Sequence, residues 1–507
     1  EDFERAYAQL SAGSPVELGR KTTSYQRWSE ALTAYAQNIT TETEYWHHIV
    51  QHPITPVLPD IIGGNNEVSM SHTISTTVDS KTTERLLKQC NQAYRTEIND
   101  ILLTALATTF CQWLGSDSVL IDLEGHGREA IDDVIDVSRT MGWFTTVFPV
   151  LLKTASSPEK QIKCIKQSLR DIPKHGLGYG VLRYLHDDAD INNKLLLSEH
   201  QSAISFNYLG QLDNAMAQSQ LFSVVDDVEQ ASVSAHNKRS HLIDINASVI
   251  AGQLQIHWSV SSEQFKSLTI EALSQSYQHH LTDLIEHCCL PDSIGFTPSD
   301  FRLTNLNQTQ LDQLINATPN QSLLEDYYPL SPTQQGMWFH HLFDQQDEAY
   351  FEQFSCHFRG EFDTDAFIDS WRQLINQHSI LRSSFVECAS IPLQRVYKTV
   401  PFDCPIIDCR ELNEVEQQQK IEEFLVKDRL QGFDFAESPL LRIVLMRLED
   451  SHYWFNWSHH HILLDGWSLP ILMQELFAHY ELKIHGKAPI SQMLDKAELS
   501  NSSAQTN

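Results

Sequence analysis

Apolar positions recur at helical spacing in residues 82–90 and 99–114, whereas residues 119–123 and 147–152 are short apolar runs of strand length. A period near 3.6 turns one helix face toward a core, and a brief apolar or β-branched run reads as a buried strand, so helices and strands are predicted to alternate. A second cycle opens near Tyr328, where Asp363 or Thr364 can cap a helix whose Phe367, Ile368, Trp371, Leu374 and Ile375 share one face. Residues 440–448 and 453–457 read as strands, and Glu449-Asp450-Ser451 between them is short enough for a hairpin. The expected fold class is α/β. Between the cycles, residues 296–324 are rich in Thr, Asn, Gln and Ser and carry Pro298 and Pro319, which predicts an inter-domain linker with one short helix around residues 310–315. Beyond Gly486 the chain becomes too polar to build a core, and a frayed tail is expected over residues 488–507.

Length changes this picture only by requiring more than one core, since 507 residues exceed the usual single domain. The formal net charge of -30 argues against a nucleic-acid partner, whose phosphates are bound largely through Lys and Arg. The nine cysteines form no CxxC pair and are odd in number, so neither a disulfide framework nor a zinc ribbon is expected and a reducing cytoplasm fits. Cys288 and Cys289 are most simply a buried patch beside an apolar helix. No apolar run is long enough to cross a bilayer, and Glu1-Asp2-Phe3-Glu4-Arg5 reads as helix interior rather than signal peptide, so no membrane association is expected.

The most informative stretch runs from Ser458 through His459, His460, His461, Asp465 and Gly466 to Ser468. It follows a strand and precedes a helix, with Ser468 placed to cap that helix, Pro470 in its first turn, and Gly466 placed to permit a bend. Histidine at such a sheet end can exchange protons near neutral pH. The residue types alone also fit a metal site completed by Asp465, or polar side chains that merely end a strand. The pairs His47-His48, His279-His280 and His340-His341 lack the following xxxDG and read as helix-surface or partly buried residues. The glycines at 176, 178 and 180 are not followed by Gly-Lys-Ser/Thr, so a tight turn explains them better than a nucleotide loop.

The HHxxxDG pattern filled by His460 to Gly466 resembles the signature of the condensation superfamily of nonribosomal peptide synthetases. Residues 328–340 (YPLSPTQQGMWFH) resemble the opening motif of a condensation domain, and His378 through Phe385 match its HxxLRxxF segment. Phe433-Asp434 with Pro439-Leu440-Leu441-Arg442 match a third. The resemblance implies lobes similar to chloramphenicol acetyltransferase. It makes His461 the catalytic histidine, with His460 and Gly466 supporting it and Asp465 pairing with Arg382 to hold the loop. The opening motif looks most like condensation domains that accept a donor ending in a D-residue.

The first 300 residues carry different motifs. Glu124-Gly125-His126-Gly127-Arg128-Glu129 resembles the EGHGRE of epimerization domains, and residues 138–145 (SRTMGWFT) resemble another of their motifs. Pro173 with residues 176–180, Phe206 to Gln211 (FNYLGQ) and Thr297 to Phe301 (TPSDF) match three more. Read without the resemblance, Glu124 is equally well a surface carboxylate. With it, Glu124 becomes one of two acid/base groups for moving an α-proton, and Asn207 and Tyr208 line the same site. The implied organisation is an epimerization domain over residues 1–300, its C-terminal lobe about 68–295, a linker at 301–326, a condensation N-terminal lobe over 327–487 and the tail. Each domain is expected to carry one of the two lobes of its family, and the complementary halves suggest docking between lobes or between chains. Expected partners are carrier domains and other synthetase modules. Substrates would arrive on the carriers' phosphopantetheine arms, with no covalently bound cofactor and no metal in the chain itself. The alternative is a noncatalytic segment that docks carrier domains or other synthetase chains.

Overall fold

The computed structural model describes residues 2–196, 202–211, 233–343 and 349–486, so the polar tail predicted over 488–507 lies outside the described residues. The chain divides into two compact units, Glu1–Ser299 and Asp300–Asn507. The α/β expectation holds in both.

The first unit is built on strands β1 (Ser71–Val78), β2 (Ser118–Gly125), β3 (Thr146–Lys153), β4 (Ile204–Gln211), β5 (Ile243–Ile250) and β6 (Gln253–Ser261), in the sheet order β1-β6-β5-β4-β2-β3. β4 pairs parallel with both β2 and β5, and the remaining pairings are antiparallel. Alternation along each strand gives the sheet two unlike faces. Val119, Ile121, Leu123, Phe206, Ile245, Ile256 and Trp258 enter the main core with the helices Ile98–Leu114 and Ser267–Cys288. The helix Ile98–Leu114 is apolar on nearly every side, as a helix buried in a core should be. It begins where Asp100 Oδ2 accepts from the Glu97 N–H at 2.6 Å and ends at Gly115, whose φ of +63° a residue with a Cβ would resist.

The second unit contains a sheet β7-β10-β9, formed by Leu324–Pro329, Ile391–Tyr397 and Ser383–Cys388, and a sheet β11-β12-β13-β8, formed by Ile406–Asp408, Leu441–Glu449, His452–His460 and Phe351–Arg359. β12 and β13 are the predicted hairpin, paired antiparallel with Arg442 opposite Ser458. Both faces of this hairpin are covered. Ile443, Leu445, Phe455 and Trp457 pack with Trp371 and Leu374 of the helix Thr364–Gln377 and Leu476 of the helix Ser468–His485, while Val444, Met446 and Trp454 pack with Ile421 of the helix Glu414–Gln431. Asp363 caps the helix Thr364–Gln377, accepting from the Ala366 N–H at 2.9 Å.

The short helix predicted around residues 310–315 is present within residues 301–326. The helix Gln308–Asn316 buries Leu311, Leu314 and Ile315, and Phe301 packs edge-on against Tyr327 with ring centroids 5.5 Å apart. Spacing of three and four lets these few apolar residues share one face, so a segment of polar composition still buries apolar side chains.

Candidate functional site

The second face of the sheet of the first unit carries a polar stripe beside an apolar patch formed by Leu120 and Leu151. Asp122 and Glu124 of β2, Ser205 and Asn207 of β4, and Asp244 and Asn246 of β5 recur at a spacing of two, with Asp122 beside Ser205 in the parallel register. Glu124 stands exposed near the strand end, and its Oε2 accepts from Asn207 Nδ2 at 2.7 Å. Glu124, Asn207 and Tyr208 all line a cleft of ≈ 610 Å³ that also touches Phe148, Arg170 and His175. Burial raises the pKa of the Tyr208 hydroxyl, so it remains a proton donor at neutral pH. Arg170 is engaged by the buried Asp100 through bonds of 3.2 and 2.9 Å. The three predicted residues of the first unit therefore line one opening, Tyr208 from the side packed against the main core.

The motif glycines do not share one role. A Cβ on Gly127, at φ +64°, would stand 1.7 Å from the Phe144 carbonyl oxygen. This close approach brings Arg128 over the Phe144 ring at 4.1 Å and to the Thr140 carbonyl at 2.9 Å, joining the two motifs. Of the glycines at 176, 178 and 180, Gly176 alone has positive φ, and the other two lie in the helix Leu177–Tyr184.

One rung below Glu124 lies a group that motif reasoning does not reach. His241 Nε2 meets Asp122 Oδ2 at 2.9 Å and its Nδ1 meets Asp244 Oδ1 at 3.3 Å, while Asp244 also binds Arg239 at 2.6 Å. Burial lowers the imidazole pKa, but hydrogen bonds and charge from Asp122 and Asp244 outweigh it and raise the value from 6.5 to about 9. Stability from this clamp is fully present below pH 6.5 and is lost as the pH rises through about 9. The thermal midpoint of the first unit is expected to fall across that interval, and His241→Gln should flatten the decline. An equally steep decline in the variant would place its origin elsewhere.

In the second unit β13 delivers the histidines. His459 is buried and stacks on Trp457, with ring centroids 4.7 Å apart, and its Nδ1 has no hydrogen-bond partner. His460 is buried too, its Nδ1 accepting from the Ile462 N–H at 3.1 Å and its ring edge-on to Phe435 at 4.6 Å. Burial, assisted by neighbouring histidines, lowers the pKa of His459 to about 4 and that of His460 to about 3, so both are neutral at physiological pH. His461 leaves the strand half-exposed, fixed through its backbone N–H to the Tyr350 carbonyl at 2.8 Å. Of the three imidazoles it is the most open to solvent. His341, expected as a helix-surface or partly buried residue, stacks on Phe435 at 3.8 Å and so joins the aromatic cluster that holds His460.

Two details of the loop depart from expectation. Asp465 does not pair with Arg382. Its carboxylate accepts from the Ser468 N–H at 2.9 Å and hydroxyl at 2.7 Å, whereas Arg382 is buried and bonded to Glu325 and to the carbonyls of Ile375 and Tyr397. The guanidinium donors of Arg382 are already engaged, and a local cap at a helix start holds the aspartate. Ser468 is accordingly the first helical residue rather than the cap. Gly466 is not in the left-handed region, and a Cβ there would meet nothing within 4 Å, so the bend does not require glycine.

Beneath the histidines, Asp428 is buried and accepts from Arg442 Nε at 2.7 Å, from Gln353 Nε2 at 3.0 Å and from the Ser458 hydroxyl. This ties the helix Glu414–Gln431 to the strand two residues before His460. Removing one partner of such a pair leaves a charge uncompensated, so Asp428→Ala is expected to cost about 3 kcal/mol in urea unfolding. An unchanged urea midpoint would contradict this role. Among the described residues no group of three or more His, Cys, Asp or Glu side chains is arranged to hold a metal ion, and no helix is long and apolar enough to cross a membrane.

Comparison with known proteins gives a consistent result. The family model described as "Condensation domain" matches residues 1–306 and 324–496. One of the linear gramicidin synthase proteins of Brevibacillus parabrevis is 39% identical over 497 residues, covering 96% of this chain and 10% of that protein. Bacitracin synthase 3 of Bacillus licheniformis is 37% identical over 493 residues, covering 96% of this chain and 8% of that protein. The chain thus spans a tenth or less of these two relatives. The crystal structure of the epimerization domain from the third module of tyrocidine synthetase B aligns with a TM-score of 0.52 at 36% identity, over 57% of this chain and 64% of that one.

Proposed function

The chain belongs to the condensation-domain family, and on that footing we propose that it is part of a nonribosomal peptide synthetase carrying two successive activities. The first unit epimerizes a carrier-bound aminoacyl or peptidyl thioester, and the second condenses the resulting D-residue donor with the amine of the next carrier-bound residue. The observation that carries the first assignment is the Glu124 carboxylate held by Asn207 at 2.7 Å beside Tyr208 at a cleft. Glu124 takes the α-proton, and the Tyr208 hydroxyl is a donor for the developing enolate oxygen. Return of a proton on the opposite face calls for a second group. The family resemblance gives that role to a histidine of the epimerization domain's own HHxxxDG, whereas the HHxxxDG of this sequence, His460 to Gly466, lies in the second unit.

In the second unit His461 orients the acceptor amine or takes its proton as the amine attacks the donor carbonyl. The tetrahedral intermediate then collapses, the amide forms and the carrier thiol leaves. His460 and the buried contacts beneath it serve to fix the strand end. Both substrates are held on phosphopantetheine arms of carrier domains, which are therefore the partners of this chain. The test follows the α-hydrogen. In D2O, formation of the D-residue from a carrier-bound L-residue should be accompanied by α-deuterium, and retention of the original hydrogen would contradict proton abstraction.

A further inference from the structure

Neither reaction accounts for the thiols clustered in the first unit. Cys288 ends the long helix Ser267–Cys288 and Cys289 follows it as C-cap, while Cys90 opens the short helix Cys90–Tyr94. Two contacts bring Cys90 and Cys289 to the junction of these helices: Cys289 Sγ donates to Gln89 Oε1 at 3.5 Å across 200 residues of sequence, and Cys90 Sγ stands 4.0 Å from the Ile285 carbonyl oxygen. Cys90 and Cys288 are 1% and 4% exposed, whereas Cys289 is half-buried, so Cys289 is the thiol that solvent reaches first.

From this juxtaposition we propose that Cys90 and Cys289 are an oxidisable pair that closes to a disulfide when a peroxide reaches Cys289. Peroxide passes one oxygen to the Cys289 sulfur, giving a sulfenic acid and water. The Cys90 sulfur then attacks that sulfur, the S–S bond forms as the S–O bond breaks, and the departing hydroxide takes the Cys90 proton as a second water. The protein loses two hydrogens and the peroxide is reduced to water. A bond between the neighbours Cys288 and Cys289 would distort the last helical turn, whereas Cys90 approaches from a separate element. Cys90 and Tyr208 both line a cavity of ≈ 550 Å³, so the new bond fixes one wall of the space beside Tyr208. Burial raises the pKa of the Cys289 thiol, and a hydrogen bond from Arg85 partly opposes this, so closure should be slow at neutral pH and faster in alkali.

The experiment treats the whole chain with dilute hydrogen peroxide, alkylates the remaining thiols and digests it with trypsin. The tryptic peptides spanning residues 89–95 and 267–302 should appear joined, with the loss of two hydrogens, and dithiothreitol should release them. The link should persist in Cys288→Ser and vanish in Cys289→Ser, and the thermal midpoint should rise on oxidation because so long a loop is closed. A link that survives in Cys289→Ser, or Cys289 accumulating as unlinked sulfinic acid, would overturn the proposal. Circular dichroism of Cys289→Ser separates loss of the link from loss of the fold.

Discussion

In a synthetase module containing this chain, His461→Ala lowers peptide-bond formation by at least about a hundredfold, the lower range for removing a general acid or base. Loading of amino acids onto the carrier domains is unchanged, because the imidazole takes no part in it. His461 follows the last residue of β13 and is held there by its backbone, so truncating its side chain leaves the strand pairing intact. The neighbouring imidazoles cannot replace it: His459 and His460 are buried and neutral, and His460 uses Nδ1 within its own turn. Mass spectrometry of products released from the carriers gives the rate. Undiminished dipeptide formation would remove His461 from the reaction.

Glu124→Gln is expected to slow D/L equilibration of the carrier-bound residue by about a hundredfold to ten-thousandfold. The substitution is chosen for its shape. A glutamine oxygen still accepts from Asn207 Nδ2, so the packing survives while the capacity to take a proton is lost. Chiral analysis of the hydrolysed residue measures the outcome, and equilibration at the original rate would exclude Glu124 as the base. A fall in stability without a change in rate per folded molecule would return Glu124 to the structural role of holding Asn207.

Much of the fold is legible in the sequence because local pattern and burial agree. The hairpin β12–β13 is a continuous apolar run since both of its faces are covered, and Asp363 announces its helix because capping is a contact across three residues. In the segment 301–326 the short helix is legible but its burial is not, because Leu311, Leu314 and Ile315 are diluted among amides. The polar sheet face is written at period two in three separate strands. It becomes a site only when β4 inserts between β2 and β5, a parallel pairing that no local pattern announces. His241 escapes notice for the same reason, since its carboxylates come from β2 and β5. Asp465 and Arg382 show the reverse error. A pairing inferred from resemblance gives way to a cap three residues away and to carbonyl oxygens that already occupy the guanidinium.

We propose that the two units carry separable chemistry, proton transfer at Glu124 and acyl transfer at His461. A single assay in D2O, following both α-deuteration and dipeptide formation on carrier-bound substrates, addresses it most directly. Glu124→Gln should abolish deuteration yet permit condensation of a donor supplied as the D-isomer, and His461→Ala should leave deuteration intact while condensation stops. Loss of both signals in either variant, with the fold preserved, would show that the two reactions are not separable between the units.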